Sequence, residues 1–178
     1  VVASARETVI RWATSPDGTT WTAQSQPLPA TYVTFQMSKV HFLNGKFIFF
    51  TCFGGGDGSV SGTTWCYFSE DGLTWTANKV GDSRINVGEF DASPTLLVAA
   101  AGNGNQVAST DLVTWVSRPV VVNGSGYDHN DVTYSPSAGK FFSSINGFGG
   151  ATYSSTDAVT WTVIPSATTP GGGYLEAG

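Results

Sequence analysis

The chain is poor in charge. Only 12% of its 178 residues are charged, with 13 acids against 8 bases and a formal net charge of −5. Its lysines and arginines never cluster, and a surface that tracks phosphates needs such a cluster, so nucleic acid is not an expected partner. No apolar run approaches the ~20 residues of a membrane helix. No secretory leader is visible, although the opening Val1-Val2-Ala3-Ser4 reads like part of a strand. Residues that build long surface helices are scarce. There are only two cysteines, Cys52 and Cys66, and their spacing is not a metal motif. No cofactor or resident metal is implied.

What is present is suited to pleated sheets. Aromatic residues make up 13% of the chain, threonine and valine are plentiful, and 22 glycines supply tight turns. The expected fold class is therefore all-β with short connections. Internal repetition sharpens this. Ser15-Pro16-Asp17-Gly18-Thr19-Thr20-Trp21, Ser69-Glu70-Asp71-Gly72-Leu73-Thr74-Trp75, Ser109-Thr110-Asp111-Leu112-Val113-Thr114-Trp115 and Ser155-Thr156-Asp157-Ala158-Val159-Thr160-Trp161 align without gaps. The intervals between their tryptophans are 54, 40 and 46 residues. An aspartate at this spacing accepts backbone N–H groups a few residues on and closes a turn. Gly18 and Gly72 suit a position with positive φ, whereas Leu112 and Ala158 imply a turn geometry that tolerates a Cβ. The tryptophan is expected to begin the outgoing strand and fold over the turn. Burying it removes ~150–250 Å² from water, an upper estimate of roughly 4–6 kcal/mol.

Ahead of the motifs lie strand-like runs at Lys46–Phe50, Leu96–Ala100 and Lys140–Ser144, each followed by a glycine-rich turn. Before these sit shorter strands at Val40–Leu43, Val87–Phe90 and Val132–Tyr134. A four-stranded antiparallel sheet every ~40–50 residues is the pattern of a β-propeller blade. The chain is expected to be a single propeller module with blades at about 1–26 (incomplete), 31–80, 84–120 and 127–166.

The repeated Ser-x-Asp-x-Gly-x-Thr-Trp pattern resembles the Asp-box, or BNR repeat, of sialidase-type β-propellers. Two copies match in full and two lack only the glycine. The resemblance implies a blade hairpin in which Ser15, Asp17, Trp21, Ser69, Asp71, Trp75, Ser109, Asp111, Trp115, Ser155, Asp157 and Trp161 serve folding rather than catalysis. The motif occurs in sialidases, sorting receptors, lectins, photosystem assembly factors and phage tail proteins. The Gly/Ser/Thr-rich wording of this chain is most similar to virion or secreted bacterial members, which implies an extracellular or virion-associated protein.

Propellers commonly close with four to eight blades, and this chain holds three complete blades and one incomplete one. Three arrangements stay open: part of a longer polypeptide, a homo-oligomeric ring, or closure alone.

A sialidase needs three arginines on its substrate carboxylate, a tyrosine nucleophile backed by glutamate, and an aspartate. This chain has Arg6, Arg11, Arg84 and Arg118 only, and Arg84-Ile85-Asn86 lacks the proline of the sialidase Arg-Ile-Pro sequence. No catalytic residue is assigned. The acids outside the motifs, among them Asp57, Asp82, Glu89, Asp91, Asp128 and Asp131, form no recognised pair for glycoside hydrolysis. The densest polar segment is Tyr127-Asp128-His129-Asn130-Asp131, ahead of the innermost strand of the last blade. Tyr127, Asp128, His129, Asp131 and Arg84 are the candidate ligand-binding residues, against a competing reading as a hydrogen-bonded loop. The 54–62 loop has no lysine and no following helix, so it is a hairpin insertion rather than a phosphate cradle. Cys52 and Cys66 flank it, and a disulfide there would close a ~15-residue loop worth about 3 kcal/mol in the chain-entropy model. Two buried thiols are the alternative. Trp12 and Trp65 fall on strands and are expected in the core.

The expected function is a non-catalytic interaction module on the outside of a virion or cell, as a phage tail or receptor-binding component. Its partner would be a protein or a surface glycan. A glycan-binding lectin and a fragment of an exo-sialidase are the alternatives.

Overall fold

The computed structural model describes residues 9–27, 34–54, 63–81, 89–101, 105–119, 121–122, 125–126, 129–145 and 152–165. Arg84, Tyr127 and Asp128 lie outside them. So do residues 1–8, 28–33, 55–62, 82–88, 102–104, 146–151 and everything after 165. All regular structure among the described residues is strand, and no helix there is long and apolar enough to cross a membrane. The chain divides into two compact units, Val1–Arg84 and Ile85–Gly178.

In the first unit β1 (Val9–Thr14) and β2 (Thr22–Pro27) form an antiparallel hairpin around the first motif. The second sheet holds β3 (Thr34–Met37), β4 (His41–Leu43), β5 (Lys46–Gly54), β6 (Thr63–Ser69) and β7 (Thr76–Gly81). Its order is β3-β5-β6-β7, with β4 also on β5. The expected first strand is thus longer than the 40–43 run and is interrupted. Ser38 causes the break: its N–H donates to the Phe50 carbonyl at 3.0 Å, and its hydroxyl accepts the Phe50 N–H at 2.9 Å. The Asn44-Gly45 turn joins β4 to β5 with both residues at positive φ, 51° and 78°, which suits the right-handed twist of a tight hairpin.

In the second unit β8 (Phe90–Ala92), β9 (Leu97–Ala101), β10 (Asn105–Ser109) and β11 (Val116–Pro119) make one four-stranded sheet. A two-stranded ribbon follows, β12 (Val121–Val122) with β13 (Ser125–Gly126). The last sheet is β14 (His129–Ser135), β15 (Lys140–Ile145), β16 (Thr152–Ser155) and β17 (Thr162–Val163), in that order.

Each unit has its own core. Ile10, Trp12, Phe49, Tyr67 and Trp75 cluster in the first. Trp12 meets Trp75 edge-on at 5.9 Å, and Phe49 stacks on Tyr67 at 4.8 Å. Val98, Ala100, Ala108, Val132, Phe141 and Ala158 cluster in the second. Buried polar bonds cross between sheets inside each unit. Trp12 Nε1 donates to the Gly72 carbonyl at 2.8 Å, and Gln106 Nε2 donates to the Ala158 carbonyl. Trp12 and Gln106 occupy the same place, three residues ahead of their motif serine. Each reaches the fourth residue of the following motif within its unit.

The cysteines do not face each other. Cys66 lies opposite Phe50 and Cys52 opposite Thr64, so the two are diagonal neighbours, beyond the Cα separation a disulfide spans without backbone movement. Both are buried thiols outside any disulfide, and burial pushes the Cys66 thiol up from its ordinary value.

Replacing Trp12 by Phe removes the Nε1 donor and leaves the Gly72 carbonyl buried without it. Such a change should cost about 2–3 kcal/mol, whereas Trp21→Phe on the surface should cost no more than about 0.5 kcal/mol. Urea unfolding of the two variants side by side checks the contrast.

Candidate functional site

The four motifs fold into one repeated device. In each, the serine hydroxyl donates to aspartate Oδ1, at 3.0 Å in Ser15–Asp17 and 2.9 Å in Ser69–Asp71. The same bond measures 3.1 Å in Ser109–Asp111 and 2.9 Å in Ser155–Asp157. Serine Oγ accepts the N–H of the fourth residue, which is Gly18, Gly72, Leu112 or Ala158, at 2.8–2.9 Å. Aspartate Oδ1 also accepts the next two N–H groups, such as those of Thr19 and Thr20 at 2.8 and 2.7 Å. The fourth residue is left-handed in every copy, with φ of 73°, 71°, 63° and 55° along the chain. Leu112 and Ala158 therefore do not alter the turn to suit a Cβ. They adopt the glycine conformation against a cost of roughly 1–2 kcal/mol, which their burial offsets.

These bonds favour the ionised carboxylate. The N–H groups of Thr74 and Leu73, then the Ser69 hydroxyl, hold Asp71 down to about 2. Thr114 and Val113 do the same for Asp111, also about 2. Asp17 is lowered further by Thr20, Thr19 and Ser15, and Asp157 is lowered by Thr160 and Val159.

The motif tryptophans diverge. Trp75 is 9% exposed and sits in the first core, and Trp115 and Trp161 are half-buried. Trp21 is 63% exposed, contrary to the expected burial over its turn. What covers Trp75 is not its own turn but Trp12 and Phe49. Burial of the indole therefore depends on packed neighbours, which a local motif does not supply.

Trp21 lines a cleft of about 720 Å³ within the first unit, a volume in the usual range for small-molecule sites. Trp12, Met37, Phe47 and Trp75 supply its apolar wall. Ser15, Lys39 and Asp71 supply polar groups. The interruption between β3 and β4 brings Ser38, Lys39 and Val40 to its edge. Nothing in the sequence placed these residues together, because they come from two motifs and a strand break.

The residues singled out from the sequence fare differently. His129 opens β14, and a register shift separates it from Asp131. Asp131 is buried, and its carbonyl accepts the Ser143 hydroxyl at 2.7 Å. Arg84, Tyr127 and Asp128 lie outside the described residues. Among the described residues no three His, Cys, Asp or Glu side chains gather as a metal site. Asp91, one of the acids that form no recognised pair in the sequence, accepts the Tyr134 N–H at 2.6 Å and the Thr133 hydroxyl at 3.3 Å, joining β8 to β14. Trp12 is in the core, and Trp65 is half-buried against it.

No protein-family model matches the chain, and no curated protein matches it in sequence. Solved structures do match in fold. The α-L-arabinofuranosidase Arb93A of Fusarium graminearum, in complex with an iminosugar inhibitor, aligns with a TM-score of 0.53 and 15% identity over 90% of this chain and 60% of its own. The GH93 α-L-arabinofuranosidase of the same organism with arabinobiose aligns at 0.53 and 16%, with the same coverage. YCF48 bound to D1 peptide aligns at 0.47 and 13%, over 83% of this chain and 44% of its own. The chain thus spans less than two thirds of the length of these proteins. With four-stranded antiparallel sheets and β-propeller neighbours, it has a β-propeller fold.

The depressed carboxyls fix an acid response. Their folded values lie below the unfolded aspartate value of about 3.9, so the stability they confer is fully present above about pH 5. It is lost as pH falls toward about 2, where Asp71 and Asp111 take up protons. Thermal melts followed by circular dichroism should show the melting temperature falling over that window. Asp111→Asn should melt lower at pH 7 and show a shallower fall in acid.

Proposed function

We propose that this chain is a non-catalytic recognition module with a β-propeller fold, working on the outside of a virion or cell as a phage tail or receptor-binding component. The observation that carries the reading is the division of labour in the first unit. The motif carboxylates are bound into turns, while an exposed tryptophan lines an open aromatic cleft. Surfaces of that kind suit binding rather than proton transfer. The exterior placement is supported by the Asp-box resemblance and by a composition rich in Gly, Ser and Thr.

A glycan-binding lectin is the second reading, supported by the aromatic cleft. The arabinofuranosidase likeness supports a propeller scaffold and no particular chemistry, since one fold hosts many activities. A fluorogenic sialoside and a nitrophenyl α-L-arabinofuranoside should both survive incubation with the full chain, and turnover of either overturns the non-catalytic reading. A glycan array probed with the same preparation should show bound spots if the partner is a glycan. A blank array would point the recognition reading to a protein partner.

A further inference from the structure

We propose that the exposed Asp71 is a catch that holds the first hairpin on the second sheet, acting across one peptide plane on Trp12, and that opening this catch frees Trp12 while the strand ladders stay closed. The catch is a property of the fold and is independent of any ligand.

Trp12 is tied to a turn and not to a strand. Its Nε1 donates to the Gly72 carbonyl at 2.8 Å in a buried bond, and its ring lies edge-on to Trp75 at 5.9 Å. Gln26 Nε2, from the same hairpin, donates to the Trp75 carbonyl at 3.3 Å. The hairpin thus grips the second sheet at two main-chain carbonyls, and both belong to residues between β6 and β7. The Gly72 carbonyl and the Leu73 N–H are two ends of one peptide group. That group is planar and trans, so the two bonds point in opposite directions. Asp71 Oδ1 accepts the Leu73 N–H at 2.8 Å, and Trp12 Nε1 meets the carbonyl on the far side. The carboxylate therefore aims the carbonyl. It also polarises the peptide, which strengthens the carbonyl as an acceptor. The Thr74 N–H and the Ser69 hydroxyl converge on the same oxygen at 2.8 and 2.9 Å and keep it in place.

The second unit repeats the arrangement with other side chains. Asp157 Oδ1 accepts the Val159 N–H at 2.8 Å, and the Ala158 carbonyl of the same peptide accepts Gln106 Nε2. Arg118 Nη1 adds a bond to the Asp157 carbonyl at 2.8 Å. Gln106 and Arg118 face each other across β10 and β11, so the grip again comes from one sheet. An indole in one unit and an amide in the other end on the same peptide of the motif. What the two units share is the carboxylate-held peptide and not the donor. The fourth residue differs too, glycine at 72 and alanine at 158, and both keep a positive φ, 71° and 55°. The motif aspartate is therefore a positioning residue for packing between sheets, and its reach exceeds the turn that it closes. Sequence spacing does not show this, since Trp12 and Gly72 stand 60 residues apart.

The test is native-state hydrogen exchange of the full chain, read by NMR. The Trp12 indole proton, assigned by its loss in Trp12→Phe, reports release of the hairpin, and the slowest amides of β5 and β6 report opening of the sheet itself. In Asp71→Ala the indole proton should exchange about tenfold faster or more, over and above any change in those amides. Asp71→Asn keeps an acceptor oxygen and loses the charge, so it should fall between, about threefold faster, and it carries the test where Asp71→Ala does not fold. Glu70→Gln removes the neighbouring exposed charge, which pairs with Lys46, and should leave the indole proton as it was. Asp157→Ala should speed the Gln106 side-chain amide protons in the way that Asp71→Ala speeds the indole. Three outcomes overturn the proposal. The first is an indole proton that exchanges no faster in either Asp71 variant. The second is one that speeds up only in step with the ladder amides, which would make the aspartate a stabiliser of the whole sheet with no separate hold on Trp12. The third is an equal effect from Glu70→Gln, because charge at the turn and not the aimed peptide would then hold the hairpin.

Discussion

One carboxylate oxygen organises each repeat. In all four copies aspartate Oδ1 collects two backbone N–H groups and a serine hydroxyl, and that serine holds the N–H of the residue between them. Closing so many bonds within six residues forces the fourth residue into the left-handed region. The conformation turns that residue's carbonyl away from its own hairpin. In each unit a side chain from the preceding hairpin or sheet then finds it, Trp12 at Gly72 and Gln106 at Ala158. A strictly local clasp thus creates the acceptor on which sheet-to-sheet packing is anchored. The order of cause matters, since without the clasp a buried indole N–H and a buried amide would have no carbonyl to meet.

The local part of this was readable. Ser, Asp and Thr recur at fixed offsets because the bonds that need them span two or three residues, and sequence spacing encodes contacts of that range directly. The all-β class and the Asn44-Gly45 hairpin follow from equally local preferences. What escaped is whatever depends on residues far apart in the chain. Leu112 and Ala158 look like departures from the glycine rule, yet they keep its φ because packing in the second core and the serine bond outweigh the strain. Cys52 and Cys66 flank one loop, but their pairing turns on a register that two strands settle together, and it sets them diagonally. The break at Ser38 has no signal in a run of polar and apolar residues, since its cause is a side chain replacing a ladder bond to Phe50. Of the ligand-site candidates, the 127–131 segment stands out by polar density and by its place ahead of the innermost strand of the last blade. Its Asp131 proves to be a buried strand residue.

The fold and the chemistry are separable here. The four motif aspartates are fixed in turns that favour the ionised carboxylate, and a general acid must instead hold a proton near working pH. The likeness to an arabinofuranosidase therefore speaks for how sheets are made and not for where bonds would be cleaved.

The contrast between Trp21 and Trp75 shows how one motif yields both core and surface. Both indoles start an outgoing strand after the same clasp, and nothing in either turn covers them. Trp75 is sealed because Trp12 of the preceding hairpin lies edge-on to it and is itself tied to Gly72. The first hairpin thus lends its Trp12 to cover the motif tryptophan of its neighbour. Burial of a motif tryptophan is settled between neighbouring sheets and not by the repeat that carries it.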